Sequence, residues 1–266
     1  MSNLSDDLNL LVEVARSAGE IAHGFFRQSP ETWYKGDERS PVSEADIAVD
    51  EHLRTVLTAA RPDYGWLSEE SPDEKSRLDR DMVFIVDPID GTRGFIGGKR
   101  DWCISIAIVK NGNPVAGILA APARGDQQGG ELWVASTGQG AWLDGNRLHS
   151  AANSVPVRPL EVSMSDMLAS GALKKFPTEI KRKYGGPSLA LRLARVASGE
   201  IGGVLIRPRA NEWDLAAADL IMREAGYLLV DDKSSELTYN RSDPSYGFLV
   251  AGALGDIELL QGCLPG

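Results

Sequence analysis

Two aspartates lie three residues apart in the segment FIVDPIDGTRGFI, where a short apolar run meets a Gly-Thr pair. Asp87 ends the apolar run, Asp90 precedes Gly91 and Thr92, and Pro88 lies between the two acids. If Pro88 bends the chain, both carboxylates can reach one point. Oxygen ligands without a neighbouring His or Cys suit Mg²⁺ or Mn²⁺ rather than Zn²⁺. The segment therefore predicts a site for a hard divalent cation.

The residues that follow predict a phosphate site beside this cation. GTRGF can begin a helix, and the first backbone N–H groups of a helix attract anions. We therefore expect Gly91, Thr92 and Arg93 to contact a phosphate group. An alternative is that Asp87 and Asp90 only stabilise a turn and a helix start, where aspartate is common. A helix start needs one carboxylate and this segment has two, which favours the metal site.

The same segment argues against a covalent aspartyl-phosphate route. Phosphatases of the haloacid dehalogenase type also place a Gly-Thr after a strand, in the pattern Asp-x-Asp-Gly-Thr. Here Pro88 occupies the position two residues before Asp90, so a carboxylate nucleophile is missing there. The expected nucleophile is instead a water molecule that the metal activates.

Three motifs in order resemble the inositol monophosphatase superfamily of Mg²⁺-dependent, lithium-sensitive phosphomonoesterases. DPIDGT occupies residues 87–92, WLSEES lies upstream at 66–71, and EWDLAAADLIMREAG lies downstream at 212–226. The resemblance extends over most of the chain. It implies an α/β (α+β) fold, the layered αβαβα sandwich of the inositol monophosphatase and fructose-1,6-bisphosphatase type. It also implies a homodimer.

The resemblance further implies ligands for two or three metal ions, Mg²⁺ or alternatively Mn²⁺. Glu69, Asp87 and the carbonyl group of Ile89 would bind one ion, and Glu69 would also take part in catalysis. A second ion would be bound by Asp87, Asp90 and Asp214, so that Asp87 bridges the two. Without cations these carboxylates would repel one another and any phosphate, so activity without metal should be negligible.

Thr92 and Asp46 complete the implied catalytic set as a pair that orients the attacking water and helps to deprotonate it. A second interpretation of Asp46 stays open. Ser43-x-x-Asp46 is also typical of a capping box at the start of a helix, and that role alone could explain the residue.

Basic residues upstream of Asp214 suggest the substrate. Inositol-specific members of the family carry a glutamate about seven residues before that aspartate, where this chain has Arg207. Arg207, Arg209 and the basic Arg93 after the threonine instead resemble 3′(2′),5′-bisphosphate nucleotidases, since arginine is well shaped to bind a second phosphate. We therefore predict hydrolysis of 3′-phosphoadenosine 5′-phosphate to AMP.

Other functions remain alternatives to this prediction. Inositol 1-phosphate, histidinol phosphate and sugar phosphates such as fructose 1,6-bisphosphate are the competing substrates. A binding protein that retains the fold without catalysis is disfavoured, because all four ligand carboxylates and Thr92 are present.

Apolar periodicity predicts the elements that position these residues. Residues 4–26 and 41–57 carry apolar side chains at helical spacing, and Ser43 can cap the second helix. MVFIV is typical of a buried strand, and two hairpins follow, in CISIAIVKNGNPVAGILAAPA and ELWVASTGQGAWLDG. These strands predict a largely antiparallel sheet flanked by the first two helices.

A polar, proline-containing stretch at 150–159 predicts a linker, after which the pattern changes. LEVSMS, IGGVLI, YLLVDD and FLVAGA are typical of strands, separated by helices at 188–198 and 213–225. We therefore predict two domains. An N-terminal α+β domain at 1–150 would carry most metal ligands, and a C-terminal α/β domain at 151–266 would complete the site.

Composition narrows the class of protein and of partner. The 266 residues are 42% hydrophobic, which is enough for a sizeable core, and the net charge is -10. That charge argues against nucleic acids and membrane surfaces and leaves a small phosphorylated metabolite as the expected partner. The chain shows neither an apolar membrane span nor a signal peptide, so we expect a cytoplasmic protein. Cys103 and Cys263 are expected to be buried thiols.

Overall fold

A computed structural model describes residues 4–35, 40–126, 129–148 and 158–265 of the chain. Residues 150–157 of the predicted linker, and with them the predicted domain boundary at 150/151, lie outside this part. Among the described residues, none of the helices is both long enough and apolar enough to cross a bilayer.

The first layer packs against one face of a large sheet. It contains two helices and the hairpin that joins them: α1 (Leu4–Phe25), β1 (Thr32–Lys35), β2 (Ser40–Ser43) and α2 (Glu44–Ala60). In α1, Leu11, Ala15, Ala18 and Ala22 recur at helical spacing and are fully buried. This apolar face covers the sheet, as the sequence pattern predicts.

The second layer is a seven-stranded sheet whose strands lie side by side in chain order. The strands are β3 (Gly65–Ser68), β4 (Met82–Asp90), β5 (Cys103–Lys110), β6 (Asn113–Ala121), β7 (Glu131–Ser136), β8 (Gly140–Leu143) and β9 (Asn146–Arg147). Only the pairing of β3 with β4 is parallel among these strands. Asn111 and Gly112 turn β5 into β6 with positive φ angles of 49° and 80°, as the Asn-Gly pair predicts.

The remaining three layers alternate helices, sheet and helices. The middle helices are α5 (Leu189–Ala197) and α6 (Glu212–Glu224), and the outer ones are α4 (Asp166–Lys175) and α7 (Ile257–Gly262). Between them lies a mixed sheet whose strands are β10 (Leu160–Ser163), β11 (Ile180–Lys183), β12 (Gly203–Ile206), β13 (Leu228–Asp231) and β14 (Leu249–Gly252). Side by side, the strands follow the order β11-β10-β12-β14-β13.

The layers confirm the predicted αβαβα sandwich. One hydrophobic cluster joins both sheets through the middle helices, with Val83 and Ala107 on one side, Leu193 and Leu215 between, and Leu249 on the other. Each middle helix is therefore apolar on two opposite faces, because each packs on two sheets.

Several elements were not predicted from the sequence, for local reasons. In β11 the basic residues of IKRK hide the apolar pattern of a strand, and β3 overlaps the WLSEES motif. Strand β4 runs past the predicted MVFIV to Asp90, with a shift in register between Asp87 and Asp90. This bulge, at Pro88, lets the strand continue through the motif.

Candidate active site

Three carboxylates from three different elements meet at the end of β4. They belong to Glu69, Asp87 and Asp214, each of which places an oxygen within 4.8 Å of the other two. Glu69 directly follows β3, and its backbone N–H bonds to the carbonyl oxygen of Val86 at 3.2 Å. The parallel pairing of β3 with β4 therefore places Glu69 beside Asp87. The first turn of α6 adds Asp214 to these two residues.

Burial and mutual repulsion dominate the electrostatics of this cluster. Burial raises the pKa of Asp87 well above its usual value of 3.8, and the charges of Glu69, Asp90 and Asp214 raise it further. The pKa of Asp214 is raised in the same way, by burial first and then by Asp90 and Glu69. A divalent cation would remove this repulsion, and an all-oxygen donor set suits Mg²⁺. The three residues fit the predicted metal site.

Asp90 lies next to this cluster but faces the start of α5. Its carboxylate accepts hydrogen bonds from Ser188 Oγ and from the backbone N–H of Ala190, both at 2.6 Å, and from that of Leu189 at 3.2 Å. Burial raises the pKa of Asp90, and these three bonds oppose the rise. Asp90 therefore stabilises a helix start, and its role as a metal ligand stays a prediction.

The predicted catalytic pair is in contact. Thr92 Oγ1 lies 3.1 Å from Asp46 Oδ1 and 3.0 Å from the carbonyl oxygen of Ile89, either of which can accept its proton. Asp46 Oδ2 accepts the backbone N–H of Ser43 at 2.8 Å and its hydroxyl at 2.5 Å. Burial raises the pKa of Asp46, against these hydrogen bonds. The capping box and the contact with Thr92 therefore coexist.

The helix that the sequence predicts after Asp90 is present. The five-residue α3 (Thr92–Ile96) follows Gly91, whose φ is 98°. A Cβ atom on Gly91 would also lie 3.2 Å from the backbone nitrogen of Ser188, so both conformation and space favour glycine. Arg93, in the first turn, is exposed.

The two arginines predicted to bind a second phosphate differ in their surroundings. Both Arg207 and Arg209 are exposed in the loop between β12 and α6. Arg209 has a positive φ of 79°, and its backbone N–H bonds to Tyr246 at 2.8 Å. Arg207 acts electrostatically on Arg192, a residue of α5 that sequence reasoning missed.

Arg192 interacts electrostatically with two of the acidic residues, Asp90 and Asp214. Burial lowers the pKa of Arg192 and the charge of Arg207 adds to this, whereas the carboxylates of Asp90 and Asp214 oppose it. Gly185 leaves room for this side chain, because a Cβ atom there would lie 2.5 Å from Arg192 Cδ. In the sequence, Arg192 is one polar residue in an amphipathic helix, so no local signal distinguishes it.

Comparison with protein families and curated proteins gives consistent matches along the chain. Residues 3–252 match the model of the inositol monophosphatase family. A histidinol-phosphatase of Mycobacterium tuberculosis is 32% identical, with 83% of this chain and 85% of the relative covered. An inositol-1-monophosphatase of Rhizobium meliloti is 33% identical, with 82% and 83% covered. A 3′(2′),5′-bisphosphate nucleotidase of Aggregatibacter actinomycetemcomitans is 28% identical, with 88% and 87% covered.

The fold also matches solved structures. An IMPase of Thermotoga maritima superposes with a TM-score of 0.81 at 26% identity, covering 97% of this chain and 96% of that one. The layered architecture is therefore shared with an enzyme of known structure.

Proposed function

This chain belongs to the inositol monophosphatase family and is a phosphatase, and we propose that its substrate carries a second phosphate, as 3′-phosphoadenosine 5′-phosphate does. Three relatives are named for different substrates. The histidinol-phosphatase is 32% identical to this chain, the inositol-1-monophosphatase 33% and the 3′(2′),5′-bisphosphate nucleotidase 28%. Such similar values do not rank the substrates. The residues around the site must decide between them.

The pair formed by Arg192 and Arg207 carries this proposal. The two cations repel each other, and Arg192 also interacts electrostatically with the carboxylates of Asp90 and Asp214. A metal ion can neutralise the carboxylates, but it leaves the two guanidinium groups as uncompensated positive charge. A second phosphate would neutralise this positive charge and would accept charge-assisted hydrogen bonds from the guanidinium groups. Inositol 1-phosphate would offer only neutral hydroxyl groups there.

The chain's own residues define the reacting position. Glu69, Asp87 and Asp214 would hold the metal, with Asp90 and the Ile89 carbonyl as further proposed ligands. Bound Mg²⁺ supplies positive charge for the phosphate oxygens and lowers the pKa of water. The first N–H groups of α3 would face the scissile phosphate, since a helix N-terminus favours anions.

Thr92 and Asp46 handle the proton of the attacking water in this proposal. Asp46 Oδ1 is the oxygen that can take a proton from the Thr92 hydroxyl, which in turn orients the water. We further propose a cytoplasmic homodimer that lithium inhibits, in keeping with the family resemblance.

The proposal is tested by measuring kcat/KM with Mg²⁺ on 3′-phosphoadenosine 5′-phosphate, inositol 1-phosphate and histidinol phosphate. We expect the bisphosphate to be preferred. Arg192→Gln and Arg207→Gln should each lower its kcat/KM roughly ten- to a hundredfold, because a charge-assisted hydrogen bond contributes about 1.5–3 kcal/mol. Turnover of inositol 1-phosphate should change little.

Two matched variants sharpen this comparison. Arg209→Gln shows whether the other predicted arginine contributes, and Arg16→Gln removes an exposed arginine from α1, on the far face of the large sheet. Arg16→Gln should leave all three substrates unaffected. A preference of the unmodified enzyme for inositol 1-phosphate or histidinol phosphate would refute the bisphosphate assignment and leave the phosphatase activity standing.

A further inference from the structure

Asp50 connects α2 to the loop that carries Glu69. It lies one helical turn after Asp46 and is only 6% exposed. Its Oδ1 accepts the hydroxyl of Ser68 at 2.5 Å, and its Oδ2 accepts the hydroxyl of Ser71. The carboxylate therefore binds the chain on both sides of Glu69.

The loop needs such a connection because of where it lies in the sheet. Strand β3 is an edge strand that pairs only with β4 among the described strands. The last backbone bond along this edge joins the N–H of Glu69 to Val86. Beyond it, the chain leaves the sheet toward the 3₁₀ helix Lys75–Asp79. Edge segments with few ladder bonds open most easily.

Charge also acts against the observed position of Glu69. The carboxylates of Asp87 and Asp214 lie within 4.8 Å of it. Of the three, Asp87 lies inside a paired strand and Asp214 in a helix, whereas Glu69 follows an edge strand. Repulsion within the cluster would therefore displace Glu69 before the other two, and the residues on either side of it, Ser68 and Ser71, are bonded to Asp50.

We propose that Asp50 is a positioning residue that holds Glu69 at the metal site through Ser68 and Ser71. The proposal rests on the metal site described above. It gives α2 two functions on one face, since Asp46 contacts Thr92 at one end of the site and Asp50 fixes the loop at the other. In this proposal Asp50 itself would contact neither substrate nor metal.

The test is a direct titration of the full-length protein with Mn²⁺, followed by electron paramagnetic resonance of the free ion. Loss of a group that orients a ligand typically weakens metal binding 10- to 100-fold. We expect that loss for Asp50→Asn and for the double variant Ser68→Ala/Ser71→Ala. Adding Asp50→Asn to the double variant should give little further loss, because all three changes break one connection.

A buried aspartate elsewhere provides the matched control. Asp7 of α1 accepts hydrogen bonds from Arg61 and Tyr64, away from the cluster. Asp7→Asn should lower the melting temperature while leaving the Mn²⁺ dissociation constant unchanged. If Asp50→Asn does not fold, the serine double variant carries the test alone.

The outcomes separate this proposal from the others. Mn²⁺ affinity within twofold of the unmodified protein in both Asp50→Asn and the serine double variant would overturn it, whatever happens to stability. If the unmodified protein bound no Mn²⁺, the metal site would be wrong and the role of Asp50 with it. A preference for a substrate other than the bisphosphate would leave the role of Asp50 intact.

Discussion

Thr92 and Asp46 share a contact of 3.1 Å that uses only one of the two carboxylate oxygens, Oδ1 of Asp46. The other oxygen accepts both hydrogen bonds from Ser43 at the start of α2. A similar capping bond occurs at α6, where Asp214 Oδ2 accepts the backbone N–H of Asn211 at 2.7 Å and Asp214 belongs to the acidic cluster. In both helices, the bond to the cap residue restricts the orientation of the carboxylate.

The double role of Asp46 predicts that Asp46→Asn lowers activity, whereas weakening the cap alone lowers stability. Loss of a positioned base reduces kcat typically 10²- to 10⁴-fold, with KM nearly unchanged. Ser43→Ala separates the roles, because it removes the capping hydroxyl and leaves Asp46 Oδ1 beside Thr92. It should lower the free energy of unfolding by about 0.5–2 kcal/mol and leave kcat within a few-fold. A normal kcat in Asp46→Asn would exclude the catalytic role.

Metal binding should strengthen as the pH rises. Burial and neighbouring charge raise the pKa of Asp87 and Asp214, so these carboxylates keep their protons above the usual value of 3.8. Protons and metal ions compete for the same oxygens, so binding of the ion should release protons. Mn²⁺ titrations at several pH values should give a dissociation constant that falls with pH, and Asp214→Asn should flatten this dependence. A constant that does not change with pH would show that these groups are already ionised.

Local motifs explain how much of the site could be predicted from the sequence. Asp87, Gly91 and Thr92 lie within six residues of one another, so one bulged strand and one helix start determine their relative positions. The capping box of Ser43 and Asp46 could likewise be predicted, because its two residues are three positions apart. Glu69 and Asp214 were identified only through the family resemblance.

Contacts between residues that are distant in the sequence could not be predicted from local motifs. Arg192 interacts electrostatically with Asp90 and Asp214 because α5 packs between two sheets, and its own segment shows only an apolar helix with two arginines. Asp50 meets Ser68 and Ser71 across 18 and 21 residues, after α2 has packed on β4. Asp90 was predicted as a ligand, and its bonds to the start of α5 span about a hundred residues. Tertiary packing, rather than local pattern, creates these contacts.

A second connection in the same loop should control stability rather than catalysis. Arg77 is 1% exposed, donates to Asp73, and also donates to Asn240 Oδ1 at 2.6 Å and to the carbonyl oxygen of Arg241 at 2.9 Å. Arg77→Ala would leave these acceptors without their charged donor, so the free energy of unfolding should fall by roughly 3 kcal/mol or more. Arg80→Ala, at an exposed position three residues on, should change it by less than about 0.5 kcal/mol.

The contribution of the Arg77–Asp73 ion pair to the free energy of unfolding should change with pH only under acidic conditions. The hydrogen bond from Arg77 is the main cause that lowers the pKa of Asp73 from 3.8 to about 2. Its stabilising effect is therefore complete above pH 3.8 and is lost as the pH falls through about 2. Chemical denaturation of the unmodified protein and of Asp73→Asn should show a stability difference that narrows over this range. A difference that stays constant in acid would mean that Asp73 acts without its charge.

Replacing a carboxylate of the metal site should stabilise the metal-free protein while it abolishes activity. Because the pKa of Asp87 is raised, its favourable contribution is present below 3.8 and is lost as the pH rises and the buried group ionises. Asp87→Asn stays neutral at every pH and keeps an oxygen for the backbone N–H of Ile89, which Asp87 Oδ1 accepts at 3.0 Å. At neutral pH in excess chelator, its melting temperature should rise by at least roughly 2 °C, the shift expected for about 1 kcal/mol in a chain of this size. With saturating Mg²⁺ its turnover should fall roughly a hundredfold or more.

Asp7→Asn, at a buried aspartate paired with Arg61, should instead lower the melting temperature. A drop in both variants would indicate that Asp87 stabilises the fold through its hydrogen bonds, and that charge repulsion at this site is small.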